Sequence, residues 1–245
     1  MVGKFILRGL IVGILAGLIT FGYAKTFGEP AVNVAVQLED THADAEREEA
    51  IKAGKTPEPA EAEMFSRDIQ SGAGLLTGLV GVGAGIGAVF GVLFAFAYGR
   101  MGNLGPKATA GLLGLMGLVT AYVVPSLKYP ANPPTVGLPD TIKERTGLYF
   151  LVIGLSILMT LGGLFLRSKL MPKFGAWTAS VLAGLIYIIA LFVVFAVLPS
   201  FNEVPNDFPA VTMWNFRIAS LGIQTLLWGV TAILFGYLNG LPKRD

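Results

Sequence analysis

The chain has 245 residues, of which 53% are apolar and only 14% charged, and its mean hydropathy is +0.67. These values exclude an ordinary soluble domain. With no cysteine, disulfides, thiolate metal centres and thiol nucleophiles are excluded as well. The net charge of +2 is no nucleic-acid footprint, because the charges are divided between the two sides of the apolar segments.

A membrane-crossing helix takes about 20 apolar residues. Six stretches qualify: 5–24, 73–98, 108–127, 148–166, 176–198 and 217–238. The first is long and is followed by no clean A-x-A-like cleavage site, so it reads as a retained span. The expected fold is an all-α integral membrane protein, residues 1–245 forming one membrane domain. Six transmembrane helices are expected in three hairpins, with a partly helical outer loop between helices 1 and 2.

Span one carries Gly9, Gly13 and Gly17, and span two carries Gly83, Gly87 and Gly91. In lipid, where dispersion drives helix association, such spacing lets backbones approach closely. Between these spans lies an acidic loop, 25–72. Phe27-Gly28-Glu29-Pro30 reads as the end of span one, and Ala31–Lys52 as an amphipathic outer helix of good helix formers. A Pro-containing turn over Gly54–Pro59 ends that helix, and a second short helix runs from Ala60 into span two.

Loops three and five share a pattern. Each follows an outward span with Pro-Ser (Pro125-Ser126, Pro199-Ser200), continues through a proline-spaced polar stretch and re-enters through an arginine, Arg145 or Arg217. Either the hairpin is repeated, or prolines are simply ending membrane helices. Span six carries Gly222, Gly229 and Gly236, seven apart and so on one face.

The acids are sorted by side. Loops one, three and five hold all of them, Glu29 through Asp207, while the N-terminus and loops two and four hold none; Asp245 ends the chain. The short segments bearing Lys4, Arg8, Arg100, Lys107, Arg167, Lys169, Lys173, Lys243 and Arg244 are densely basic, which places both termini in the cytoplasm and the acidic loops outside. The expected location is a bacterial cytoplasmic (inner) membrane.

No Asp, Glu, Lys or His lies well inside a span, which argues against a buried proton relay or an axially ligated haem. No phosphate-binding loop, zinc-protease motif or catalytic triad is present, so no enzyme is expected. At depth the polar residues are mild, Gln224 foremost, which suits either an interhelical hydrogen bond or a substrate contact. His42 shares a helix face with Glu39 and Glu46, a set suited to a borderline divalent cation such as Co(II); a solvated acidic surface is the plainer reading. Glu29, Lys128, Asn132, Arg145, Asn202, Glu203, Asp207 and Arg217, with Gln224, form a candidate outer vestibule. Its arginines either pair with its carboxylates into a rigid cap or leave them to meet a substrate.

Several runs carry a resemblance: Leu7-Arg8-Gly9-Leu10, Phe27-Gly28-Glu29-Pro30, Lys128-Tyr129-Pro130-Ala131-Asn132-Pro133-Pro134 with Val136-Gly137, and Asn202-Glu203-Val204-Pro205. Together with Trp214, Arg217 and Gln224 near the last span, these resemble the CbtA family over nearly the whole chain. The resemblance implies a cobalt transporter subunit with Co(II) as substrate, no cofactor in this chain, and a small single-span companion with a histidine-rich tail (CbtB-like). The alternative is a structural or accessory subunit of a larger membrane complex. Besides these, membrane lipid is the expected partner, and nucleic acid is not.

Overall fold

A glycine every fourth residue gives a helix one strip with no side chains, and two such strips can meet backbone to backbone. The computed structural model describes residues 2–56 and 64–241 and contains this meeting. Helix α1 (Val2–Lys52) and helix α2 (Arg67–Ala97) run antiparallel. A methyl group on Gly9 would overlap the Gly87 carbonyl, and one on Gly13 the Gly83 carbonyl; on Gly91 it would strike the Phe5 carbonyl. Every step of four along α1 is matched by four back along α2.

Three more helices complete the described residues: α3 (Pro106–Lys128), α4 (Ile142–Val197, after a 3-10 turn at Pro139–Thr141) and α5 (Ala210–Asn239). There is no strand among them. All five long helices are apolar and long enough to cross a membrane.

The chain forms two compact units. The first comprises Met1–Leu115, Ala131–Val136 and Val204–Asp245. Its core is aromatic: Phe90, Phe94 and Phe235 are fully buried, with Phe235 edge-on to Phe90 at 5.2 Å and to Phe94 at 5.0 Å between centroids. Helix α5 runs antiparallel to α1, with Gly222 against the Tyr23 ring and Asn239 accepting from Arg8. Of the three glycines expected on one face of α5, Gly222 and Gly236 are in close contact but Gly229 faces open space. The second unit, Met116–Pro130 with Gly137–Glu203, consists of the end of α3, the helix α4 and their flanking loops.

The helix of span one does not stop at Phe27-Gly28-Glu29-Pro30. Pro30 has no amide hydrogen, and its ring would clash with the Thr26 carbonyl in a regular helix. A π-helical turn at Ala24–Gly28 widens the helix just before it, and α1 continues to Lys52. The expected outer helix over Ala31–Lys52 is therefore present but is the far half of α1. At 1.5 Å per residue the 51 residues of α1 extend about 77 Å, against a hydrocarbon core of about 30 Å. A second π turn, Val119–Val123, stands at the same offset before Pro125 in α3. A third, Gln70–Gly74, lies in α2 opposite the first.

The basic segment expected as loop four is also helical. It breaks at one residue, Gly175, whose φ of 75° and ψ of 166° favour glycine. A straight helix would hold residues 167 and 180 about 20 Å apart, yet Arg167 Nε donates to Ser180 Oγ at 2.8 Å. The chain thus bends sharply there. Five long helices are counted rather than six because the helix resumes immediately after this break. Pro57 to Glu63, with the turn and short helix expected there, and the basic end Lys243-Arg244 lie outside the described residues.

The seam yields a test. Gly87→Leu should destabilise the protein in mild detergent by on the order of 1–3 kcal/mol, an overpacking cost, read as a lowered unfolding midpoint. Gly78→Ala, where a methyl meets nothing within 4 Å, should shift stability by less than about 0.5 kcal/mol.

Candidate functional site

The α1–α2 register does not stop at the last glycine. Continued in the same steps of four, it sets Lys25 opposite Ser71 and Glu29 opposite Arg67. Lys25 Nζ donates to Ser71 Oγ at 2.9 Å and to its carbonyl at 3.0 Å. Glu29 is buried and paired with Arg67, whose guanidinium also reaches Asn33 Oδ1 from Nε at 3.1 Å. Beyond the glycines the seam is therefore polar and charged, yet satisfied. Lys25, Asn33, Arg67 and Ser71 did not stand out in the sequence, although the glycine spacing would have aligned them.

Further along α1 come the acids. Arg47 pairs with Asp44 at 3.2 Å and Lys52 with Glu48 at 3.4 Å, both exposed. Asp40, Glu46 and Glu49 have no ion pair among the described residues. Glu39, His42 and Glu46 are on α1 at helical spacing, as expected, but His42 turns away from that strip: its Nε2 lies 2.7 Å from Asp207 Oδ2. No group of three His, Cys, Asp or Glu side chains converges among the described residues.

Around this half of α1 the first unit folds two loop segments. Ala35, Val136, Phe208 and Met213 form a small buried cluster, packed by Leu38 and Val204. Thr135, just before it, holds a φ of 74°, which is rare for a β-branched residue; its hydroxyl donates to the Ala35 carbonyl at 3.3 Å. Arg217 takes no carboxylate among the described residues. Its guanidinium donates to Asn132 Oδ1 at 3.0 Å and to the Ala131 carbonyl at 3.2 Å. Gln224 is half-buried and makes no hydrogen bond among the described residues, so the interhelical bond open to it is not made.

The second unit has its own polar cap. Arg145 lies 3.4 Å from Glu203 and donates to the Leu138 carbonyl at 3.2 Å. Gly137 permits this: with φ at 120°, it lies so close that a Cβ would sit 2.6 Å from the arginine. Glu203 is held below the usual carboxylate range, chiefly by the Leu138 amide that donates to it at 2.9 Å. The Thr141 hydroxyl adds to this, burial opposes it, and the Arg145 charge lowers it further by the smallest amount. Lys128 donates to the Phe195 carbonyl at 2.7 Å and to Ser200 Oγ at 2.8 Å. Asn202 is exposed and makes no hydrogen bond among the described residues. The candidate vestibule residues thus fall into two groups. Glu29, Asn132, Asp207, Arg217 and Gln224 belong to the first unit, and Lys128, Arg145, Asn202 and Glu203 to the second. In both, most charged members are committed to structural partners.

Within the helices the buried polar set is almost wholly hydroxyl. Thr120 of this set, like the exposed Thr77, Ser180 and Thr225, donates to the carbonyl four residues back. Thr20, Ser156 and Thr231 are fully buried without a partner. Helices of this length and apolarity are those of a membrane protein. The chain belongs to the CbtA family: the family model described as a probable cobalt transporter subunit matches residues 2–240. As a subunit it is one component of a larger system. Neither a curated protein nor a solved structure matches the chain.

Two predictions follow from the paired carboxylates. Arg67→Ala leaves the buried Glu29 charge alone and should cost about 3–5 kcal/mol; adding Glu29→Gln should restore part of that loss, measured by unfolding in detergent. For Glu203 the folded-state pKa is depressed. Its contribution is therefore complete above the ordinary carboxylate pKa of 4.5 and disappears as pH falls through the lower folded value. Hydrogen exchange at Leu138–Thr141 should be slow at pH 6 and accelerate well below pH 4.5, and Glu203→Gln should make it fast throughout.

Proposed function

We propose that this chain is the membrane subunit of a cobalt (divalent-cation) uptake system in a bacterial inner membrane. The observation that carries the reading is the family match over nearly the whole chain. In this reading the chain is one membrane domain of six spans in three hairpins, with both termini cytoplasmic. The bend at Gly175 supports counting α4 as two spans, because Arg167 and Ser180 meet across it. The distribution of Lys and Arg over the short segments supports the orientation.

The acidic half of α1 then stands clear of the bilayer on the outer side. Asp40, Glu46 and Glu49, which carry no ion pair among the described residues, raise the local concentration of a divalent cation without a fixed coordination geometry. Glu39 and Glu46 are the first carboxylates of this half of α1 that the cation meets, with His42 beside them held by Asp207. Tight binding falls to a companion, for which a small single-span protein with a histidine-rich tail is the fitting chemistry. The absence of an ionisable residue deep in any span favours a role within a complex; a purely structural subunit would match that feature but give no transport phenotype.

A strain lacking this chain should take up radiolabelled cobalt more slowly than wild type; an unchanged rate overturns the proposal. Asp40→Asn with Glu46→Gln and Glu49→Gln should slow uptake several-fold at low ionic strength and much less near 0.15 M salt, where screening acts within about 8 Å. Because the chain has no cysteine, single introduced cysteines report topology cleanly. Ser200→Cys should react with an impermeant maleimide in intact cells, and Gly105→Cys only after lysis.

A further inference from the structure

One cavity in the first unit has no part in the cation reading. It measures about 500 Å3 and lies between α1, around its π turn, and the start of α5. Phe27, Trp214 and Ile218 line it and are open to the surroundings, Phe27 at 57% and Trp214 at 65% exposure. Tyr23, Thr212 and Asn215 also line it, and none of the three makes a hydrogen bond among the described residues. No charged side chain is in its wall.

The position is specific. Tyr23 and Ile218 belong to the apolar stretches, while Thr212 and Asn215 precede the last one, so the cavity straddles the level at which a bilayer turns from hydrocarbon to polar. Trp and Tyr favour that level. A wall that is apolar at one end and carries unspent neutral donors at the other matches a ligand with the same division. We propose that the cavity is a binding site for one membrane glycerolipid, its acyl chain along Phe27 and Ile218 and its ester carbonyls accepting from Thr212 and Asn215.

Charge and hydrogen-bond complementarity select this occupant over the others. A phosphate, a metal cation or a carboxylate would need an opposite charge, and the wall has none. A transmembrane helix from another subunit brings backbone groups already paired within itself, so it would leave the donors unused. Ester carbonyls are acceptors without donors of their own, and at this depth little water competes for them. This inference rests on the reading of the chain as a membrane subunit, but not on cobalt.

The test uses the full-length protein in mild detergent with added dioleoyl phosphatidylethanolamine, and counts retained lipid by native mass spectrometry. One lipid should stay on the wild type. The variant Thr212→Val with Asn215→Leu keeps the apolar wall and removes the donors; its retention should fall about tenfold, as for two neutral hydrogen bonds lost. The dialkyl ether analogue, which has no ester carbonyl, should bind the wild type as weakly as the ester lipid binds the variant. Thr225→Val, whose hydroxyl is already bonded to the Leu221 carbonyl, should change nothing. Equal retention by wild type and variant, or equal binding of ester and ether lipids, overturns the proposal. So does a photo-crosslinker at position 215 that captures a protein chain in membranes. Cobalt uptake does not enter these readouts, and single-cysteine labelling checks the membrane placement separately, so failure of the lipid site is distinguishable from failure of the transport reading.

Discussion

Backbone contact between α1 and α2 sets the terms for the rest of the first unit. Where two helices touch through glycine, van der Waals packing holds them in one register, since a shift of a residue or two drives a side chain into a carbonyl. That register brings Lys25 to Ser71 and buries Glu29 against Arg67. Those pairings are affordable only because the geometry is already fixed: a buried ion pair gains little on its own and becomes costly as soon as one member is misplaced. The two π turns fit the same logic. Each adds width to its helix at the same level, one in α1 and one in α2. An extra residue on one side alone would have shifted every pairing beyond it; matched on both sides, the steps of four continue undisturbed.

The polar groups show how this chain reconciles charge with an apolar setting. Its carboxylates near the helix ends are held by an arginine, a histidine or a backbone amide. On the distal half of α1, Asp44 and Glu48 pair within their own helix, and Asp40, Glu46 and Glu49 carry no ion pair among the described residues. The first group fixes loops, and the second leaves a field of negative charge. In the proposed uptake role, that field is what an arriving cation would meet.

How much of this was legible in the sequence depended on the length scale of the signal. The apolar stretches gave the helices, because 20 residues of hydropathy average over local detail, and the glycine triplets gave the contact between the first two. Arg145 with Glu203 was foreseeable as one of a few pairings open to the arginines and carboxylates of the outer loops. The continuation of α1 through Pro30 was not, because proline normally stops a helix and nothing in a single sequence announces a compensating π turn. The break at Gly175 falls at the end of the basic segment expected as loop four; what stayed hidden was the helical form of that segment, because its charges look like those of a loop. His42 was read within its own helix, where Glu39 and Glu46 are its neighbours, whereas its partner Asp207 lies 165 residues away. Arg67 was missed because the glycine spacing was not carried past the last glycine.

The uninterrupted length of α1 has a mechanical meaning. A rod anchored along its N-terminal half by backbone contact passes on to that contact a push on its acidic half. Force applied to the acidic end is transmitted as torque on the seam, and the seam answers as a ratchet. Sliding by one residue is blocked by carbonyl overlap, and the next position where glycines again face glycines is four residues, about 6 Å, away. Within any working cycle α1 and α2 therefore travel as one rigid lever, and the compliance of the first unit resides elsewhere.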